Sequence, residues 1–139
     1  MERTADSFVE EARKRVPEIS AEDAEERLRR GEIDLLLDVR EAHEWAEGHI
    51  PGALHVPRGS LEWFADPTSG WRDERIAGKT DARIVLQCTV GARSLLAGET
   101  LRQMGFTNVA SMAGGIEQWR AAGYPVEAGS PGSTADPTG

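Results

Sequence analysis

The only cysteine of this 139-residue chain, Cys88, heads the run Cys88-Thr89-Val90-Gly91-Ala92-Arg93-Ser94. The apolar stretch Arg83-Ile84-Val85-Leu86-Gln87 precedes it, and a helix-like stretch from Ser94 to Met104 follows. A strand that stops at a cysteine, then a short loop and a helix, sets the sulfur where backbone N–H groups converge on the positive end of a helix dipole. Such a place favours the thiolate, which is the nucleophilic form of the side chain. Gly91 lets the chain curl, and Arg93 is a permanent cation at the far end of the loop. Four residues separate Cys88 from Arg93, so the ring of N–H groups is tight, suited to a sulfur atom or a small anion. The competing reading is an inert, buried cysteine. Gly91, Arg93 and the helix start favour an open, electropositive loop instead.

Strand-like and helix-like stretches alternate around this loop. Residues 6–16 place Phe8, Val9, Ala12 and Val16 at helical spacing, and Pro17 ends the run. Ser20 caps a second helix, Ala21 to Arg30, stopped by Gly31. Ile33 to Val39 is a continuous apolar run of the kind buried on both faces of a parallel sheet. A helical turn over Glu41 to Glu47 and the breakers Gly48, Pro51 and Gly52 lead to a strand from Ala53 to Val56. Ser60 caps a short helix carrying Leu61, Trp63 and Phe64, and the stretch Asp66 to Thr80, rich in Pro, Gly and charge, is expected to fold over the loop. Trp63 and Trp71 are read chiefly as packing residues, with lining an entrance as the alternative. Leu95, Leu96, Leu101 and Met104 give the next helix its apolar face, Gly105 stops it, and Phe106 to Ser111 reads as a last strand. This alternation implies an α/β layer fold with a mostly parallel sheet.

Composition narrows the classes. The chain holds one core, not two. Its 16 basic and 24 acidic residues give a net charge of −8, which argues against a nucleic-acid backbone or an anionic membrane as partner. An anionic substrate then needs a locally positive pocket. A single cysteine excludes an internal disulfide, no apolar stretch reaches the ~18 residues of a membrane span, and the N-terminus lacks a secretory pattern, so a cytoplasmic protein is expected. His43, His49 and His55 have no metal-site spacing and are read as structural hydrogen bonders.

Three separated motifs occur in an order that resembles the rhodanese family of single-domain sulfurtransferases. They are the Cys88–Arg93 loop, the passage from Asp38 to Ala53, and Gly114-Gly115-Ile116-Glu117-Gln118-Trp119. The resemblance implies a single rhodanese-like domain over 19–126, with about five strands and helices on both faces. An N-terminal helical extension (1–18) and a disordered tail (127–139) flank it. It further implies a Cys88 nucleophile that takes a sulfane sulfur from a small anionic donor such as thiosulfate. The sulfur is then held as a persulfide by the loop Thr89, Val90, Gly91, Ala92 and Arg93 and passed to a thiol, a partner protein or cyanide, with no metal or organic cofactor. Arg93 is expected to keep the field positive. Arg40 and Glu44, four apart, are expected to pair as scaffold. Asp38, at a strand's carboxyl end, and Arg58, just past another, are accessory candidates. Two positions depart from the pattern: neutral Thr89 where many members are basic, and Gln87 where an aromatic is frequent. Two alternatives remain, a non-enzymatic module for docking or for sulfur or redox sensing, and a cysteine-dependent phosphatase or arsenate reductase. Phosphatase loops carry one more residue and cradle phosphate.

Overall fold

In the computed structural model, which describes residues 2–129, the two most apolar runs lie side by side. Strand β2 (Leu35–Asp38) pairs in parallel with β4 (Ile84–Gln87), from Leu35 opposite Ile84 to Asp38 opposite Gln87. Strand β5 (Val109–Met112) flanks β4, the two-residue β3 (Leu54–His55) flanks β2, and the equally short β1 (Glu18–Ile19) edges β5. The five strands are all parallel, in the order β1-β5-β4-β2-β3.

Side chains alternate across the pleat. Leu36, Val85, Ala110 and Met112 pack on one face beneath α2 (Ala21–Arg29), α3 (Ala42–Glu47) and α6 (Gly115–Ala121). Leu37, Ile84, Leu86 and Val109 pack on the other beneath α4 (Leu61–Ala65) and α5 (Ala92–Gln103). Helices on both faces are what leave no polar side to these strands. From β2 the chain runs outward to β3, then crosses back past β2 to β4 and on to β5 on the other side. The order therefore reverses between β2 and β4, the point where open α/β sheets form a crevice beyond the strands' carboxyl ends. Asp38 ends one of these strands and Cys88 follows the other.

The first helix, α1 (Ala5–Arg13), is held by a Thr4/Ser7 capping box. With Val16 it docks on α5: Ala12 and Val16 bury against Leu95, and a Cβ added to Gly98 would stand 2.8 Å from Val16 Cγ1. The described part of the segment expected as an extension, 1–18, thus packs onto the sheet domain, and Glu18 itself belongs to β1.

Several expectations change. Helix α5 begins at Ala92, two residues before Ser94, which puts Arg93 in its first turn. The last strand starts later than Phe106, because Phe106 is turned into the core and its N–H donates to Leu101 O. Ser60 offers no side-chain cap, since a 3-10 turn at Arg58–Ser60 runs directly into α4. The 66–80 stretch does not reach over the cysteine loop: Asp73 and Gly78 donate to Phe64 and Ala65, Thr80 O accepts from Thr107, and Ile76 is core. Its polar content is spent on its own turns, with Asp73 paired to Arg75. Trp63 and Trp71, read chiefly as packing residues, instead stand exposed. Of the expected tail, Glu127 exchanges two 2.9 Å backbone hydrogen bonds with His49, and 130–139 lie outside the described residues. No helix among the described residues is long and apolar enough to cross a membrane.

Candidate active site

Cys88 leaves β4 and its side chain turns under the loop, where the residue is 1% exposed, so the loop expected to be open is closed over the sulfur. The Gly91 N–H donates to Cys88 Sγ at 3.1 Å. Gly91 is the residue before α5 and sits at φ 105°, a left-handed conformation that turns this N–H back toward the sulfur and that other residues rarely adopt. The sulfur therefore lies against the amino end of a 12-residue helix. Thr89 to Ala92 form the rim, with Val90 exposed at the tip.

The rim is fixed from behind by the double glycine. Ile116 N–H donates to Cys88 O at 2.9 Å and Glu117 N–H to Thr89 O at 3.2 Å. The free N–H groups of α6 and the loop carbonyls thus satisfy one another. Gly115, at φ 57°, makes the approach possible: a Cβ there would stand 2.4 Å from Cys88 O and 2.5 Å from Thr89 O.

Arg93 is not a free cation. It grips Glu44 of α3 with two parallel bonds, Nη1 to Oε1 at 2.8 Å and Nη2 to Oε2 at 3.0 Å, and also donates to Thr89 Oγ1. Thr89 in turn donates to Glu44 Oε2. Arg93 holds the Glu44 carboxyl down to about 2, with help from the Glu41 backbone N–H. The expected Arg40–Glu44 pair does not form. The Arg40 side chain turns back instead to Asp38, Nη2 to Oδ2 at 2.8 Å, and to Gly48 O at 2.7 Å. The physical reason is position: Arg40 precedes α3, so the i,i+4 geometry of a helix never applies to it.

Asp38 is wholly buried and accepts the backbone and side-chain N–H groups of Arg40. His55 Nε2 donates to Arg40 O at 2.8 Å. These groups brace the turn after β2. Arg58 faces away from the loop: it donates to Glu62 Oε1 and to Thr100 Oγ1, and Thr100 lies about 12 Å along α5 from Ala92 at 1.5 Å per residue. A cleft of about 260 Å³ opens beside the rim, lined by Arg40, Glu44, Glu47, Thr89, Glu117 and Arg120, among others.

Two residues at the sulfur were not singled out from the sequence for a role there. Ser94 Oγ lies 3.5 Å from Cys88 Sγ and 2.7 Å from Ser111 Oγ, both serines being fully buried. The available signal was a serine inside the apolar run Val109-Ala110-Ser111-Met112, at a position where a sheet covered on both faces should be apolar. Gln87 is also fully buried, and among the described residues its amide has no hydrogen-bond partner.

A parallel sheet bearing a cysteine loop at its switch point, capped by a helix amino end, defines an α/β domain built to present one sulfur. The chain belongs to the rhodanese-like domain family, whose model matches residues 20–122. It is 34% identical over 113 residues to a sulfurtransferase of Allochromatium vinosum, spanning 81% of this chain and 96% of that one. It is also 34% identical over 104 residues to YrkF of Bacillus subtilis, whose name gives it as a candidate sulfur carrier; there it covers 75% of this chain and spans about half (51%) of the relative. Among solved structures, a Rhodopseudomonas palustris protein of unknown function, described as a candidate tyrosine phosphatase, superposes with a TM-score of 0.85 at 32% identity, covering 91% of this chain and 96% of that one. A human single-domain sulfurtransferase superposes with a TM-score of 0.68 at 29% identity, covering 76% and 96%.

Proposed function

We propose that the protein is a sulfurtransferase that carries sulfur on Cys88. In the first half-reaction the Cys88 thiolate attacks the outer sulfur of thiosulfate. A bond forms from Sγ to that sulfur, the donor's own S–S bond breaks, and sulfite leaves with the electron pair. In the second, a thiolate or cyanide attacks the outer sulfur of the persulfide, and Sγ departs as thiolate. No net oxidation occurs, and no cofactor enters the balance.

The observation that carries this reading is the Gly91 N–H aimed at Sγ at 3.1 Å, in a loop whose rim is pinned by α6. Preorganised N–H donors at an anionic sulfur need no reorganisation when charge moves between the inner and outer sulfur. Arg93 contributes by holding the loop's shape through Glu44, while the positive field comes from the amino end of α5. The buried position of Cys88 selects a slim donor, and the acceptor enters along the cleft beside Thr89.

The description of the Rhodopseudomonas relative favours testing a phosphatase reading as well. Against it stand the four-residue spacing from Cys88 to Arg93 and the closed Arg93–Glu44 fork, which leaves that guanidinium's paired N–H groups no face for a phosphate. Thiocyanate formation from thiosulfate and cyanide, measured beside hydrolysis of an aryl phosphate, separates the two. The sulfurtransferase reading expects Cys88-dependent thiocyanate and no phosphate release. Cys88-dependent phosphate release without thiocyanate would replace it.

A further inference from the structure

Beneath the sulfur, on the core side of the loop, three polar atoms stand in a row: Cys88 Sγ, Ser94 Oγ at 3.5 Å from it, and Ser111 Oγ 2.7 Å further on. Ser94 comes from the first turn of α5 and Ser111 from β5, so two separate elements are needed to build the row. Both serines are at 0% exposure, and among the described residues each hydroxyl bonds only within this row. A buried hydroxyl without partners is costly, so the row has to be read as a unit.

Counting its protons gives it a direction. With the sulfur anionic, the row holds two protons: Ser111 donates to Ser94, Ser94 donates to Sγ, and every donor has an acceptor. With the sulfur protonated, the row holds three protons for the same atoms. If S–H donates to Ser94 and Ser94 to Ser111, the Ser111 proton is left over. If the hydroxyls point the other way, the S–H is left over. Leaving a buried donor unmade is the expensive outcome. The Gly91 N–H adds to the bias, because it too requires Sγ to accept.

Resting on the assignment of Cys88 as the sulfur-carrying residue, we propose that Ser111 is a positioning residue that acts through Ser94 to point a hydroxyl proton at Cys88 Sγ. The arrangement favours the anionic sulfur twice per turnover, as nucleophile toward the donor and as leaving group when the persulfide is discharged. In the resting step the thiol proton passes to solvent, and the two serine protons stay on their oxygens.

The test is the pH profile of Cys88 alkylation by iodoacetamide in the full-length protein, followed by intact mass. Near neutral pH, Ser94→Ala is expected to slow alkylation about tenfold and Ser111→Ala about threefold, as loss of a hydrogen bond to a charged group and of its support would give. Both variants should rejoin the parent rate in alkaline solution. Ser94→Ala/Ser111→Ala should match Ser94→Ala alone, and Ser111→Thr, which keeps the hydroxyl, should restore the parent profile. A Ser111 that served only to fill the core would change thermal stability and leave this profile in place. The proposal is overturned if Ser111→Ala follows the parent at every pH, or if it slows the Ser94→Ala protein as much as it slows the parent. Alkylation needs no sulfur donor, so failure of thiosulfate to load Cys88 would count against the transferase reading and leave these rates interpretable.

Discussion

Glu44 shows how one carboxylate can trade charge for shape. Its fork with Arg93 and its bond to Thr89 tie α3 to the cysteine loop, so Glu44→Gln should do two opposed things. Stability should fall by about 1 kcal/mol, the scale of a partly exposed ion pair, and the Michaelis constant for an anionic sulfur donor should drop because Arg93 is released; denaturant unfolding and steady-state kinetics read the two effects. The pH dependence follows in sign. The Glu44 carboxyl, ordinarily near 4.5, lies at about 2 in the fold, so the unfolded chain takes up this proton more readily. The pair's contribution is complete above about pH 4.5 and is lost as pH falls toward about 2. The stability gap between parent and Glu44→Gln should therefore be open near neutral pH and close across that window. Arg40 is a different case, because Asp38 is wholly buried. Arg40→Ala strands that carboxylate and should cost about 3–5 kcal/mol, the scale for breaking a buried pair from one side.

Elements differ in how plainly they can be read from the chain. The runs Leu35-Leu36-Leu37 and Ile84-Val85-Leu86 announce central strands because burial on both faces removes every polar position. The two-residue strand at Glu18–Ile19 has no pattern of its own; it exists because Pro17 O and Ile19 O accept from Ser111 and Ala113 on the exposed edge of β5. The Arg93–Glu44 pair was likewise hidden, since its partners lie 49 positions apart and only the assembled sheet brings them together. The double glycine was legible as a close approach, although what it approaches, the carbonyls of the cysteine loop, was not. Gly115→Ala should therefore distort the loop, costing roughly 3 kcal/mol as steric overlap and a left-handed φ combine, and should slow Cys88 alkylation at every pH. On the opposite face of the sheet, Gly98→Ala drives a methyl into Val16. It should cost about 1–3 kcal/mol, as overpacking does, and most of that should return in Gly98→Ala/Val16→Ala; a double-mutant cycle in denaturant checks the coupling.

At the scale of the molecule, the proposed reaction asks a chain of net charge −8 to receive an anion. With Arg93 neutralised by Glu44, local attraction comes from the N–H groups at the head of α5 and from Arg120 in the cleft beside the rim, while the long-range field repels the proposed anionic donor. Salt screens that repulsion over about 10 Å at 0.1 M, so the second-order rate of Cys88 loading by thiosulfate should rise with ionic strength. A fall would mean that local steering by the loop outweighs the net charge.

The central claim, that Cys88 accepts and holds a sulfur atom, is tested most directly by the intact mass of the purified protein before and after incubation with thiosulfate, with Cys88→Ser alongside. The prediction is a gain of one sulfur atom that requires Cys88 and that a thiol reductant removes. An unchanged mass with thiosulfate, with mercaptopyruvate and with a persulfide donor, from a protein whose Cys88 still alkylates, would contradict it.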